Sequence, residues 1–214
     1  MKVLVVGANG QIGKKLIELL KESKEHTPRA MVRTEEQSNE LKQQGIETAV
    51  ANLEDRVDAI AEAAKGCDAI VFTAGSGGHT GADKTLLIDL DGAAKTVEAA
   101  EKAGIKRFVL VSALQSHNRE NWSEAIKPYY VAKHYADKIL EQSELTYTII
   151  RPGGLINEAG TGKVSAAENL ERGSIPREDV AHTIFAALDE ENTFYRSFDL
   201  VSGEIPIPDA LKSL

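Results

Sequence analysis

The sequence has little cysteine, few aromatic residues and no long apolar run. Cys67 is the one cysteine among 214 residues, which excludes an internal disulfide bond and a zinc site built from several cysteines. No apolar stretch approaches the roughly 18 residues that a membrane span needs. The four apolar residues Val3–Val6 are too few for the core of a signal peptide. We therefore expect a cytoplasmic protein with no membrane partner.

Positive charge is also in deficit. The chain carries 25 Lys and Arg against 33 Asp and Glu, a formal net charge of −8. A field of that sign repels nucleic acid at long range, although it leaves room for a local basic pocket that binds a phosphate. We expect a small-molecule substrate, no nucleic-acid partner, and a monomer or homodimer.

The composition is that of a globular protein, with 42% hydrophobic and 27% charged residues. A chain of this length can bury one substantial core. We predict a single domain over residues 1–214, in which residues 153–214 contribute a small lobe on the substrate side.

Short β-branched runs alternate with segments of helical period. The predicted strands are Lys2–Val6, Arg29–Arg33, Glu47–Val50, Ala69–Thr73, Arg107–Ser112 and Thr146–Ile150. The predicted helices are Ile12–Leu20, Glu35–Gln44, Asp55–Ala64, Lys84–Lys102, Tyr129–Glu141 and Arg177–Leu188. Strands that alternate with helices run parallel and are joined by right-handed crossovers. The sequence therefore predicts an α/β fold: a Rossmann-type doubly wound parallel sheet with helices on both faces and a small C-terminal extension.

A glycine-rich segment joins the first strand to the first helix. It reads Gly7-Ala8-Asn9-Gly10-Gln11-Ile12-Gly13. In a dinucleotide site such glycines allow a tight turn, a close approach to the diphosphate and close packing of helix on sheet. The helix N-terminus then offers unpaired N–H groups to the phosphates. A turn that only packs is the alternative, but the position between strand and helix favours dinucleotide binding.

The end of the second strand indicates which dinucleotide binds. NAD sites usually place an acid here, on the ribose 2′-OH. This strand ends at Arg33 and Thr34, and no acid appears before Glu35. An arginine can bind a 2′-phosphate through a charge-assisted pair of hydrogen bonds, so we favour NADP(H) over NAD(H). Asn52 and Leu53 follow the third strand, where topology predicts the adenine.

Tyr129 and Lys133 form a Tyr-x-x-x-Lys pattern at the start of the helix between the fifth and sixth strands. The pattern is common by chance, and a pair spaced i, i+4 on an exposed helix face is the alternative. Its place at the carboxyl edge of the sheet, where ligands of open α/β sheets bind, favours a functional pair.

These motifs together resemble the short-chain dehydrogenase/reductase superfamily. The resemblance rests on Gly7–Gly13, Arg33, Ala74-Gly75, Tyr129 with Lys133, and Arg151-Pro152-Gly153. More narrowly, the chain looks like the atypical single-domain members: NAD(P)-binding chains named as sugar epimerases, NmrA-like proteins and biliverdin/flavin reductase-like proteins.

The resemblance implies hydride transfer with Tyr129 as general acid/base. Lys133, with the oxidised nicotinamide, would lower the pKa of that phenol and would also hold the nicotinamide ribose. A serine after the fifth strand would polarise the substrate oxygen. The cofactor would be bordered by Thr73, Ala74, Gly75, Pro152 and Gly153.

The chain departs from the superfamily pattern in three places. Leu114 takes the usual serine position, so Ser112 is the first candidate for that role and Ser116 the second. Asp89 replaces a supporting Asn, either as an anchor for a water relay to Lys133 or as an ordinary acidic helix residue. About 60 residues follow the sixth strand, which leaves a small cleft for a nucleotide sugar.

Three functions remain open from the sequence. The first is an NADP(H)-dependent oxidoreductase or epimerase-like enzyme acting on a small polar or carbonyl substrate, a class that includes sugar-type substrates. The second is a non-catalytic NADP(H) sensor of the NmrA-like kind, and the third a flavin or quinone reductase that needs no tyrosine acid. The histidine spacing fits no metal-ligand set, so we expect no metal. The Gly75–Gly81 loop is predicted to be a lid over the cofactor.

Overall fold

The computed structural model describes residues 1–214 and contains eleven strands. They are β1 Lys2–Val6, β2 Thr27–Val32, β3 Glu47–Val50, β4 Ala69–Phe72, β5 Arg107–Val111, β6 Thr146–Pro152, β7 Gly154–Ile156, β8 Lys163–Ala167, β9 Ser174–Pro176, β10 Arg196–Ser202 and β11 Ile205–Pro206.

Nine of the strands form one sheet, in the order β3-β2-β1-β4-β5-β6-β10-β8-β11. The pairs from β3 to β10 are parallel, whereas β8 and β11 add an antiparallel edge. β7 and β9 pair separately as a short parallel ladder. The order reverses between β1 and β4, the switch point at which doubly wound sheets bind dinucleotides. The predicted Rossmann-type fold is confirmed.

Helices cover both faces of the sheet. They are α1 Gln11–Glu22, α2 Glu35–Gln43, α3 Val57–Ala64, α4 Ala82–Lys84, α5 Asp91–Ala103, α6 Lys127–Glu141, α7 Arg177–Ala187 and α8 Ile207–Lys212. α1 packs against α7 on one face, and α5 packs against α3 and α6 on the other. None of the helices combines the length and the apolar character that a membrane span requires.

The central strands are apolar throughout because both of their faces are buried. In β1, Val3 and Val5 belong to a core cluster of 27 buried residues, and Leu4 and Val6 belong to a cluster of 23 on the opposite face. Side chains alternate between the faces of a strand, so a strand covered on both sides needs a continuous apolar run. This explains why β1 lacks the polar alternation of a half-exposed strand.

Residues 153–214 contribute to the main core and do not form a mere appendage. They supply 12 of the 27 residues in the larger cluster, among them Val180, Ile184, Phe198 and Leu200. Of the elements in this part, the sequence predicted only α7. A lobe on the substrate side stays a prediction.

The predicted helix Lys84–Lys102 is interrupted by a π-helical turn, Thr85–Leu90, that joins α4 to α5. An uninterrupted helix over Lys84–Lys102 predicts one buried face that carries Leu87, Leu90, Ala94 and Val97. Val97 is buried, but Leu87 is 40% exposed. A π turn contains an extra residue, so it rotates the buried face of everything before it relative to everything after.

Candidate active site

The predicted phosphate loop, Gly7–Gly13, requires glycine at its first and last positions. Gly7 has a φ of +89°, and a Cβ on it would lie 2.6 Å from the backbone nitrogen of Ala74. A Cβ on Gly13 would lie 2.2 Å from the Gly7 carbonyl oxygen. Thr73 supports the turn, because its Oγ1 donates to the Val6 carbonyl oxygen at 3.0 Å. A side chain at either glycine would therefore displace backbone, which explains the glycine spacing.

The start of α1 offers free donors to an anion. The Gly10 amide donates to the Gly7 carbonyl at 2.9 Å, and helical pairing begins with the Lys14 amide. The amides of Gln11, Ile12 and Gly13 therefore have no backbone partner, as the first turn of a helix requires. Tight glycines followed by free amides at a helix N-terminus fit the diphosphate of a dinucleotide.

Arg33 and Thr34 lie exposed just beyond β2. Thr34 caps α2, since its Oγ1 accepts from the Gln37 amide at 3.3 Å. The Arg33 amide donates to Gln37 Oε1 at 3.1 Å, whereas its guanidinium makes no hydrogen bond or ion pair within the protein. That guanidinium is available to a ligand.

Asn52 and Leu53 follow β3 at the same edge of the sheet. Asn52 Oδ1 accepts from the Glu54 amide at 3.1 Å, forming a local turn. Leu53 is buried, and a Cβ added to Gly92 of α5 would lie 3.2 Å from it. Leu53 thus packs against α5, and its contact with adenine stays a prediction.

Tyr129 and Lys133 lie one turn apart on α6, which packs against the π-helical turn. Tyr129 is partly exposed, and Lys133 is 2% exposed. Lys133 Nζ donates to the Val111 carbonyl oxygen at the end of β5, at 2.7 Å. The β5 backbone therefore holds the lysine in place, while the tyrosine side chain remains partly exposed.

Burial and nearby carboxylates set the ionisation of this pair. Burial lowers the pKa of Lys133, and the charges of Asp89 and Asp137 oppose that shift. The pKa of Tyr129 is raised above its ordinary value of 10 by burial first, then by Asp89, Tyr130 and Asp137. The resemblance implies a lowered pKa with the oxidised nicotinamide, whereas the protein alone gives a raised one. Tyr129 is therefore a phenol at neutral pH.

Asp89 lies on the π-helical turn and is 1% exposed. Its Oδ2 accepts from the Ser76 amide at 3.0 Å, and a Cβ on Gly75 would lie 3.2 Å from its Oδ1. The carboxylate therefore fixes the start of the glycine-rich loop after β4, next to the helix that carries Tyr129. The structure gives Asp89 this contact, and its role in a water relay stays a prediction.

The two candidate serines after β5 have different surroundings. Their hydroxyl oxygens are 3.3 Å apart. Ser116 is fully buried and donates to Asp137 Oδ2 at 2.8 Å, whereas Ser112 is 3% exposed and makes no other side-chain hydrogen bond. Leu114, between them, is also buried. Ser112 remains the first candidate for the substrate oxygen.

Pro152 and Gly153 lie where β6 ends. The Pro152 carbonyl accepts from the Leu114 amide at 2.9 Å. A Cβ on Gly153 would lie 2.3 Å from the Gly173 carbonyl oxygen, so this glycine permits two backbones to meet. That packing accounts for the glycine, and its contact with nicotinamide stays a prediction.

Sequence reasoning missed a buried ion pair beneath these residues. Arg151 Nε donates to Asp137 Oδ2 at 2.9 Å, and both side chains are at most 2% exposed. Asp137 follows Lys133 by four residues and Tyr129 by eight, so all three share one face of α6. That spacing was a signal in the sequence, but nothing local marked Arg151 as the partner.

The candidate residues thus meet along one edge of the sheet. The phosphate loop and Thr73 lie at the carboxyl ends of β1 and β4, and Ser112 and Pro152 lie at those of β5 and β6. Tyr129 and Lys133 face that edge from α6. The arrangement can hold an extended dinucleotide with a proton donor at one end.

Comparison with known proteins agrees with this geometry. A family model described as NAD(P)H-binding matches residues 7–191. The uncharacterised sugar epimerase YhfK of Bacillus subtilis (strain 168) is 67% identical over 214 residues, covering all of both chains. A solved structure from Bacillus halodurans, with the provisional name NAD-dependent epimerase/dehydratase, superposes with a TM-score of 0.93 at 46% identity over all of both chains.

A reductase is also among the similar structures. ChuY, an anaerobillin reductase of Escherichia coli O157:H7, superposes with a TM-score of 0.81 at 28% identity, covering 96% of this chain and 98% of its own. Those names belong to the other proteins. What they share with this chain is the fold and the cofactor-binding family. The chain therefore belongs to the NAD(P)H-binding family, within the atypical branch of the short-chain dehydrogenases/reductases.

Proposed function

We propose that this protein is an NADP(H)-dependent reductase of a small carbonyl substrate. The observation that carries the proposal is the placement of Tyr129: a partly exposed phenol one helical turn before Lys133, whose Nζ is held by the Val111 carbonyl at the carboxyl end of β5. Burial and Asp89 raise the pKa of that phenol. A phenol that keeps its proton can supply it to a reduced carbonyl. Oxidation of an alcohol, the first step of a dehydrogenase or of many epimerases, needs a base at the same position.

The chain's own residues divide the remaining tasks. The free amides after Gly10 bind the diphosphate, and Arg33 binds the 2′-phosphate. Lys133 is fixed by the Val111 carbonyl and keeps two further N–H donors for the nicotinamide ribose. Ser112 donates a hydrogen bond to the substrate oxygen.

The bound dinucleotide would supply the hydride. At the same time Tyr129 donates its hydroxyl proton to the substrate oxygen as negative charge develops there. Ser112 stabilises that oxygen by a hydrogen bond, and such preorganised donors are effective in a site that excludes water.

The test is Tyr129→Phe, assayed with NADPH and with diacetyl or phenanthrenequinone as the acceptor. We expect unchanged NADPH affinity and a loss of turnover of about 10²- to 10⁴-fold. In the parent protein the rate should show no alkaline limb from Tyr129 below pH 10, because its pKa lies above that ordinary value.

The other outcomes separate the rival functions. Reduction of menadione or FMN that is unaffected by Tyr129→Phe would indicate hydride donation alone. NADPH binding without reduction of any acceptor would favour a sensor. Full dicarbonyl reductase activity in Tyr129→Phe would refute the assignment of the acid.

A further inference from the structure

The loop after β5 is joined to α6 by a buried chain of hydrogen bonds. Ser116 Oγ and Arg151 Nε both bond to Asp137 Oδ2, at 2.8 and 2.9 Å. Because an ionised carboxylate only accepts, the hydroxyl proton of Ser116 points to Asp137. All three side chains are at most 2% exposed, so water does not compete for these bonds.

The donation from Ser116 to Asp137 also sets the direction of the hydrogen bond between the two serines. Ser112 Oγ lies 3.3 Å from Ser116 Oγ. Since the one hydroxyl proton of Ser116 is used, its oxygen can only accept a hydrogen bond from Ser112. The distance is long for a hydroxyl pair, so the bond is weak. It can orient Ser112 and still release the proton to a better acceptor such as a carbonyl oxygen.

Only one oxygen of the Asp137 carboxylate, Oδ2, accepts hydrogen bonds from the protein. Its Oδ1 is buried and has no hydrogen-bond partner. A buried oxygen without a donor costs stability, and such atoms in folded proteins call for an explanation. Ser116 Oγ and Arg151 Nε meet at Oδ2, so this one oxygen joins the loop after β5 to β6 through α6.

We infer that Ser116 and Asp137 are positioning residues that orient the Ser112 hydroxyl toward the substrate oxygen. The inference rests on the proposed reductase function. The hydroxyl proton of Ser116 is donated to Asp137, so Ser116 acts through Ser112 rather than on the substrate. Arg151 holds the Asp137 carboxylate in place. The two serines of the loop therefore have separate tasks, one at the substrate and one behind it.

Ser116→Ala tests the inference without breaking the Asp137–Arg151 pair. With NADPH and phenanthrenequinone we expect kcat to fall about 2- to 10-fold, as for the loss of one net hydrogen bond, with KM and NADPH affinity unchanged. In a Ser112→Ala background the same change should have no further effect, because its target is gone.

Ser38→Ala is the matched control. Ser38 is also fully buried, and its Oγ lies 2.7 Å from Thr48 Oγ1, between α2 and β3 and outside the hydrogen bonds that join Ser112, Ser116 and Asp137. Its loss should lower stability without changing kcat. An unchanged kcat in Ser116→Ala, or an equal loss in both Ser112 backgrounds, would overturn the inference.

A crystal structure of Ser116→Ala gives a readout that needs no turnover. We expect the Ser112 side chain to leave its rotamer or to divide between two, and an unaltered single rotamer would overturn the inference. If the parent reduces no carbonyl acceptor, the proposed function fails. The rotamer then still decides whether Ser116 positions Ser112.

Discussion

We predict that the Arg33 side chain decides between NADP(H) and NAD(H). It lies exposed at the end of β2, and its guanidinium has no partner in the protein. The next acids are Glu35 and Glu36 in the first turn of α2. A 2′-phosphate could therefore form charge-assisted bonds with Arg33 without displacing an existing ion pair. A 2′-hydroxyl would gain much less from the same cation.

We predict that Arg33→Ala weakens NADP⁺ binding by about 10- to 100-fold, as for the loss of one or two hydrogen bonds to a charged group. Binding of NAD⁺ should be nearly unchanged, and it serves as the internal control. Isothermal titration calorimetry with both nucleotides measures the ratio. Equal losses for the two would show that Arg33 does not contact the 2′-phosphate.

At the scale of elements, the first turn of α7 organises the chain before it. Asp179 is fully buried; its Oδ1 accepts from the Gly162 amide at 2.8 Å and its Oδ2 from the Thr161 amide at 3.0 Å. Glu178, next to it and more exposed, accepts from the Gly160 amide at 3.1 Å. Acids in a first turn complement the helix dipole. Here they also fix the loop between β7 and β8.

We predict that Asp179→Ala lowers the free energy of unfolding by about 2–3 kcal/mol, because two backbone N–H groups lose their acceptor. Glu178→Ala is the control and should cost clearly less than Asp179→Ala, since water can replace an exposed acceptor. Urea denaturation at constant m-value measures both. Equal costs would show that burial of the carboxylate does not matter.

The sequence predicted an element correctly where the residues of that element alone show a strand or helix pattern. The alternation of apolar runs predicted β1 to β6, and the stripe Val180, Ile184 and Leu188 predicted α7; all three side chains are buried. It failed where the signal lies in pairing. β7, β9 and β11 have only two or three residues each. β10 is fixed by its pairing with β6 and β8, and β8 by its pairing with β10 and β11, rather than by periodicity.

The candidate site divides in the same way. Glycine spacing predicted the tight turn between β1 and α1, because Gly7 and Gly13 occupy positions where a Cβ would meet backbone atoms. Phosphate binding by this turn stays a prediction. The pairing of Asp137 with Arg151 joins α6 to β6 and depends on the crossover between them. The π-helical turn that presents Asp89 has no known local pattern in the sequence.

Across the whole molecule, Arg107 joins the nucleotide-binding strands to the C-terminal third. It lies at the start of β5 and is 6% exposed. Its guanidinium donates to the Ala187 and Leu188 carbonyls at the end of α7, at 2.5 and 3.1 Å, and to the Thr146 carbonyl of β6 at 2.8 Å. No carboxylate forms an ion pair with it. The negative end of the helix dipole takes that place.

Burial lowers the pKa of Arg107 to about 10, with Asp189 opposing the shift, so the guanidinium is still charged at neutral pH. The last carbonyls of α7 thus receive donors from a residue 80 positions earlier in the chain. α7 packs on α1, which begins at the phosphate loop. The Arg107 contact therefore supports the site from the opposite edge of the sheet, where β5 begins.

We predict that Arg107→Met lowers the free energy of unfolding by roughly 3 kcal/mol, since several buried carbonyls lose a charged donor. For a chain of this size that corresponds to a fall in Tm of roughly 6–12 °C. Arg196→Met, at the exposed start of β10, is the control and should change stability by less than about 0.5 kcal/mol.

Calorimetry with and without NADP⁺ separates the effect on stability from an effect on the site. The cofactor should still raise the Tm of Arg107→Met, because no residue of the phosphate loop is changed. A variant as stable as the parent would mean that water or a neighbouring donor serves the end of α7, and Arg107 would then join the two parts of the chain only by packing.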